Sequence, residues 1–299
     1  MSYLYFPGCS LRSTGRPYEE SILAVFKKLD IPLTELEDWN CCGATAYVSI
    51  DENRAFTLAA RNLALAERMQ ANGNAGQDLM APCSACYLVL EKTQHYMKTD
   101  AGVNHEVTEA LHRGGFDYKG TAKVRHPLDI LVNDIGIERI TKAVVRPMKG
   151  MKVACYYGCL LTRPPNIVAF DDAEHTSCMD ELLTAIGAEP VEWPFKTECC
   201  GASLSITRSE IVNRLSHRLL SMARQAGAQC LAVACPLCES NLDLRQADAA
   251  KAHGPIPDTP VLYITQLLGL ALGLSSGDVG LEALTVSAEP LLAGIGRDL

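Results

Sequence analysis

The chain has 299 residues, with 27 Lys+Arg against 35 Asp+Glu and a formal net charge of −8. An apolar share of 48% with 21% charged residues excludes a disordered chain and suits a folded core. The acidic balance argues against a sequence-independent nucleic-acid binder, which needs a basic face to neutralise phosphates. The count that stands out is 13 Cys, an odd number that rules out complete pairing within one chain.

In chain order, Tyr3 to Phe6 reads as a short strand ending at Gly8-Cys9. This start has neither a basic region nor a long apolar run, so no secretory signal is expected and the expected compartment is the cytoplasm. Next come Cys41-Cys42-Gly43-Ala44 and a helical stretch from Glu52 to Ala71, with Gly73 as its stop. Asp78 to Ala81 reads as a buried strand that runs into Cys83-Ser84-Ala85-Cys86 and a further helix. Between Asn104 and Met148 lie helical runs at Val107–His112 and Pro127–Asn133, and the Arg146-Pro147-Met148-Lys149-Gly150 break suggests a domain junction.

The same order then returns. Lys152 to Tyr157 reads as a strand ending at Gly158-Cys159. Cys199-Cys200-Gly201-Ala202 precedes a helix over Glu210 to Gly227, whose Ile211, Leu215, Leu219 and Met222 predict one buried face. Cys230 to Ala234 reads as a strand leading to Cys235-Pro236-Leu237-Cys238. Val261 to Leu274 is too short to cross a membrane and reads as a buried or partner-facing helix. Ser275 to Leu299 reads as a loose terminus or a partner-docking tail.

Matching cysteines of the two halves are offset by 150 to 158 residues. The pattern therefore predicts two copies of one unit, 1–148 and 149–299. Alternating strands and helices imply an α/β fold with mainly parallel sheets and flanking helices. Ligands in such sheets collect at the strands' carboxyl ends, so each half is expected to gather five sulfurs in one place. Adjacent Cα atoms lie about 3.8 Å apart, too close for an unstrained disulfide, and two thiolates side by side repel unless a cation separates them. Zinc takes four ligands, whereas each half offers five cysteines and no repeated histidine. A soft all-thiolate set equally suits iron and sulfide. Zinc and redox dithiols stay open as alternatives.

The doubled Cys, Cys-Cys-Gly, Cys-x-x-Cys pattern resembles the cysteine-rich CCG domain. The tandem arrangement, Tyr5-Phe6-Pro7-Gly8-Cys9 and Asp38-Trp39-Asn40-Cys41-Cys42-Gly43 resemble the B subunit of the heterodisulfide reductase family. That resemblance implies two noncubane [4Fe-4S] clusters. Cys9, Cys41, Cys42, Cys83 and Cys86 would hold one, and Cys159, Cys199, Cys200, Cys235 and Cys238 the other. It also implies reduction of a disulfide, or the reverse oxidation of thiols, with one electron passing through each cluster. The substrate of methanogen members is the mixed disulfide of coenzymes M and B, while related bacterial systems suggest a protein-borne sulfur substrate. Electrons would come through an iron–sulfur C subunit from a flavin-containing A subunit. Relatives in quinone-linked dehydrogenase systems supply the alternative, an electron-relay subunit that never touches substrate.

Three cysteines have no repeat partner: Cys155, Cys178 and Cys230. They read as small core hydrophobes, with Cys155 expected near the second site. Gly43 and Gly201 read as tight turns aiming backbone N–H groups at the site. His126 reads as a capping or surface residue that begins a helix. No Walker loop is present, and no GxGxxG follows a strand, so no flavin or nucleotide is expected on this chain.

Overall fold

A computed structural model describes residues 1–45, 47–73 and 78–294. Two four-stranded parallel sheets with flanking helices make up the molecule, as the strand and helix alternation implies. The first sheet holds β1 (Tyr3–Tyr5), β2 (Leu33–Glu35), β3 (Asp78–Met80) and β4 (Val124–Arg125) in the order β2-β1-β3-β4. The second holds β5 (Lys152–Tyr156), β6 (Glu189–Pro190), β7 (Cys230–Val233) and β8 (Val261–Tyr263) in the order β6-β5-β7-β8. Register matches across the repeat: β1 pairs with β3 through Tyr3↔Asp78, and β5 with β7 through Val153↔Cys230. In each sheet the order reverses between the first and third strands. That crevice at the carboxyl ends is where open α/β sheets bind ligands.

The helix Glu52–Ala71 has the predicted bounds and is capped by Asp51, whose side chain accepts from the Arg54 N–H at 3.2 Å. The helix of the second half, Ser209–Gln225, buries Val212, Ser216, Leu219, Leu220 and Ala223. Its buried stripe is thus rotated from the predicted Ile211, Leu215, Leu219 and Met222. Small Ser216 and Ala223 allow close approach there, and the Ser216 hydroxyl donates to the Asn241 carbonyl at 3.3 Å. The Val261–Leu274 run splits into β8 and a helix, Ile264–Ala271. Both elements are fully buried, so neither shows the polar alternation that would have separated them in sequence. The tail is docked as far as the described residues go. Val279 is buried, its carbonyl accepts from the Gln266 amide at 2.9 Å, and Asp243 accepts from the Thr285 and Val286 N–H groups. Residues 295–299 lie outside the described residues. Among the described residues no helix is long and apolar enough to cross a membrane.

The halves share one buried core. Helix Arg16–Lys28 packs on Ile264–Ala271, where Ser21 and Thr265 hydroxyls meet at 2.7 Å. Tyr18 stacks on Tyr263 with centroids 4.3 Å apart and planes 3° from parallel. A Cβ at Gly269 would come within 2.6 Å of Val279 and 3.4 Å of Val25, so glycine sets how closely these layers approach.

Beside this core, Glu91 on helix Ser84–Thr99 has its carboxyl pushed up to about 7 by burial and by nearby Asp129. A raised acid binds more protons folded than unfolded, so its contribution falls as pH rises from about 4.5 to about 7. Glu91→Gln is therefore expected to stabilise the protein above pH 7, by on the order of 1 kcal/mol given the group's partial exposure, and to leave stability at pH 4 unchanged. Thermal melts at both values check this; equal effects at pH 4 and pH 8 would exclude the carboxyl as the cause.

Candidate iron–sulfur centre

Each cysteine element lies in the segment that follows a strand. β1 leads to Cys9, β2 to Cys41-Cys42 and β3 to Cys83; β5, β6 and β7 lead likewise to Cys159, Cys199-Cys200 and Cys235. In the first half Cys41 and Cys9 sulfurs stand 3.8 Å apart, and Cys42 and Cys86 3.0 Å. In the second half Cys200 and Cys238 are 3.6 Å apart, and Cys159 interacts with Cys199. Cys83 and Cys235 neighbour each other across the two halves. Among the described residues no three His, Cys, Asp or Glu side chains are already closed round a point for one ion. The sulfurs stand as neighbouring pairs instead.

The thiols share protons unequally. Hydrogen bonding with Cys42 and Cys9 lowers Cys41 to about 2, and the same contact with Cys41 pushes Cys42 up to about 12. Donation from Cys159 lowers Cys199 to about 6, with help from the Gly201 N–H and against burial. Cys235 is lowered by donation from Cys238 and Cys83. Each half therefore concentrates thiolate character among neighbouring pairs of soft sulfurs, which is the chemistry a metal or cluster ligand set requires.

The glycines next to these cysteines are tightly constrained. Gly8 and Gly158 adopt φ of +67° and +70°, and a Cβ there would approach the Cys86 and Cys238 sulfurs to 3.0 and 3.1 Å. Gly201, at φ +79°, directs its N–H to the Cys199 sulfur at 3.3 Å, as the turn reading anticipates. The open space is not shared equally. A cavity of about 230 Å³ is lined by all five second-set cysteines, together with Val48, Ser84, Leu88, Lys92 and Tyr157. No first-set cysteine lines it.

Cys155, Cys178 and Cys230 are buried in the core, as expected of small hydrophobes. Cys155 does not face the second set. Successive strand residues point to opposite faces; Tyr156 faces Cys238, Cys200, Cys159 and Cys199, so Cys155 turns toward Asp180, Lys196 and Cys230. His126 caps a helix, its Nδ1 accepting from the Leu128 N–H at 3.3 Å, but it is buried rather than on the surface. Its Nε2 lies 3.0 Å from the Pro82 carbonyl, which can only accept, so Nε2 carries the proton. Burial lowers this imidazole to about 4. Sequence reasoning passed over Asn241, whose amide touches both the carbonyl and the sulfur of Cys200; its place three residues after Cys238 was the available signal.

A family model described as a cysteine-rich domain, CCG, matches residues 3–91 and again 153–243. The chain is 32% identical over 294 residues to the B subunit of the ferredoxin/F(420)H(2)-dependent CoB-CoM heterodisulfide reductase of Methanosarcina acetivorans, covering 97% of this chain and 95% of that one. It is 31% identical over 289 residues to the 8-methylmenaquinol:fumarate reductase membrane anchor subunit of Wolinella succinogenes, covering 97% and 98%. A crystal structure of a hypothetical protein from Helicobacter pylori shares the fold, with TM-score 0.72 at 14% identity over 96% of this chain and 52% of that one. With both copies of the motif matched and near full-length relatives above 30% identity, the chain belongs to the CCG cysteine-rich domain family, as a tandem member resembling the B subunits of heterodisulfide reductases.

Proposed function

We propose that the protein is an iron–sulfur oxidoreductase subunit that reduces a disulfide, or oxidises thiols in reverse, within a multisubunit complex. The observation that carries this reading is the gathering of ten cysteines at the strand ends of two repeated sheets, with one complete set of five facing a cavity between them. Repeat units 1–148 and 149–299 would each hold one noncubane [4Fe-4S] cluster. Cys9, Cys41, Cys42, Cys83 and Cys86 would bind the first, and Cys159, Cys199, Cys200, Cys235 and Cys238 the second. The donors fit such a group: they are soft, converging and partly ionised, and Gly8 and Gly158 leave the space a Cβ would fill.

A bound cluster supplies one-electron steps and an iron centre that accepts thiolate sulfur. The chain's residues do the rest. Val48, Leu88, Leu160 and Leu237 wall the cavity with apolar surface and keep water from the reacting sulfur. Tyr157 is held in the wall by its hydroxyl, which donates to Asp180 at 2.7 Å, and Asp180 is anchored by Lys196 at 2.8 Å. Lys92, at the cavity and paired with Glu52, brings positive charge toward an anionic product. Electrons would arrive from an iron–sulfur C subunit and a flavin-bearing A subunit. Thirteen unpaired cysteines suit the reducing cytoplasm.

A second reading, an electron-relay subunit of a quinone-linked complex, is favoured by the similarity to the fumarate reductase anchor subunit. Anaerobic purification followed by iron and sulfide analysis tests the common part: roughly eight irons with matching sulfide are expected, and zinc in their place would overturn it. Adding a soluble alkyl disulfide to the dithionite-reduced protein separates the two readings. A changed EPR signal supports direct substrate contact, and an unchanged one supports the relay.

A further inference from the structure

The two sulfur sets share ligand types but not their surroundings. Backbone donors are equal in number but matched at one position: Gly43 N–H serves Cys41 as Gly201 N–H serves Cys199, whereas Ala44 N–H serves Cys42 in the first half and Cys238 N–H serves Cys235 in the second. Side-chain donors to sulfur are not matched among the described residues: in the first half Asn40 Nδ2 reaches the Cys41 carbonyl at 2.8 Å but no ligand sulfur. Asn241 is buried, and its Nδ2 donates to the Cys200 carbonyl at 3.2 Å and approaches the Cys200 sulfur at 3.7 Å. The amide cannot be flipped, because the carbonyl of Cys200 only accepts; Oδ1 is occupied by the Ser205 hydroxyl at 2.8 Å. At the matching position of the first half, three residues after Cys86, stands Val89, which has no donor.

The second difference crosses the repeat. Ser84, between the cysteines of the first Cys-x-x-Cys, has a single hydroxyl proton that can serve either the Ala234 carbonyl, at 3.2 Å, or the neighbouring Cys235 sulfur. Tyr18 reaches the same carbonyl at 3.4 Å. The position matching Ser84 in the second half is Pro236, which has no hydroxyl and no N–H to return the bond. Both side-chain donors therefore serve the second set, the one that lines the cavity.

A donor's positive end beside a ligand sulfur stabilises the charge gained on reduction, and hydrogen bonds to sulfur are among the factors that set a cluster's potential. We propose that Asn241 and Ser84 are positioning residues that raise the reduction potential of the second site through side-chain donors to sulfur that the described residues of the first site lack. This rests on the reading of the ten cysteines as cluster ligands. An electron reaching the first site is thereby drawn toward the site that faces the cavity. The first site loses that electron and the second gains it, so no further reactant is needed. Cys41 and its counterpart Cys199 are both exposed, while Cys9 is more exposed than Cys159; solvent thus also differs between the sites, and single substitutions isolate the side-chain effect.

The test is a mediated redox titration of the anaerobically purified full-length chain, followed by EPR, on wild type, Asn241→Val, Ser84→Ala and Val89→Asn. Asn241→Val should lower one of the two midpoints by about tenfold in the reduced-to-oxidised ratio, or about 59 mV for one electron. Ser84→Ala should lower the same midpoint, and Val89→Asn should raise the other. Ser84→Ala removes only a hydroxyl, so it reads the second site even where Asn241→Val binds too little iron. Eight irons per chain with unmoved midpoints in Asn241→Val and Ser84→Ala would overturn the inference while leaving the ligand reading intact. A wild-type chain without iron would overturn the ligand reading, and this inference with it.

Discussion

Replacing Cys200 by serine should remove about half of the bound iron, from roughly eight to roughly four atoms per chain, and leave the other half spectroscopically unchanged. Cys200 is buried, its sulfur lies 3.6 Å from Cys238, and its carbonyl is held by Asn241. A serine hydroxyl at this place is a hard, protonated oxygen in a site that otherwise offers sulfur. The first set is fed by different strands, so its five sulfurs keep their arrangement. Cys42→Ser should give the mirror result, and the double variant should bind almost no iron. Anaerobic iron and sulfide analysis with Mössbauer spectra of ⁵⁷Fe-labelled protein reads both. Full iron in either single variant would show that the cysteine is not a ligand. Complete loss from one substitution would show that the two sites cannot be assembled independently.

The second large effect concerns stability. Arg125 on β4 ties three carboxylates together: Asp78 at 3.2 Å, Asp134 at 3.0 Å and Asp129. Asp134 also accepts from the Tyr3 hydroxyl at 2.6 Å, so the hub joins β1, β3, β4 and the following helical segment. Burial pushes the Asp134 carboxyl upward, but the Tyr3 hydroxyl and Arg125 outweigh it and hold it below its ordinary value. Arg125→Leu leaves three neighbouring carboxylates without their cation. A loss of about 3 kcal/mol is expected, the low end for a broken buried pair because each group keeps some exposure. The sign with pH follows from the depressed carboxyl. Its stabilisation is present above the unfolded value of 3.8 and fades as pH falls through the lower folded value. The gap between wild type and variant should therefore be full at pH 7 and shrink below about pH 4. Denaturant unfolding at pH 7 and pH 3.5 measures it. An equal gap at both values would point to lost packing around the Arg125 stem instead of lost charge pairing.

The sequence showed much of this arrangement because its signals were local and doubled. Gly8-Cys9 and Gly158-Cys159 each close a strand, and the Asp51-capped helix after Cys41-Cys42 has a clear apolar face and a glycine stop. Edge strands were harder to see. Leu33–Glu35 and Glu189–Pro190 are three and two residues long and carry no alternation. β8 was hidden inside an apolar run because a parallel strand buried on both faces looks like the helix that follows it. At the site, residue type and spacing pointed to the ten sulfurs. Spacing could not show that Cys155 points away from the second set, since that depends on strand phase, nor that Asn241 and Ser84 reach sulfurs from a different element and, for Ser84, a different half. The Ser84 contact arises only when the two halves are brought together, and the Asn241 contact only when the helix after β7 packs against the Cys199-Cys200 loop.

The Tyr18–Tyr263 ring stack fixes the smallest working unit of this architecture. Each ring uses its partner in the other half as its dry cover, and each is too large to be repacked by its own half alone. A solitary repeat would present a flat aromatic face beside the Leu267–Leu268 helix and stick to whatever it met. Duplication followed by fusion removes that hazard. It also gives evolution two copies whose covering faces must change in step, while the residues beneath the cysteine-bearing loops remain free to diverge.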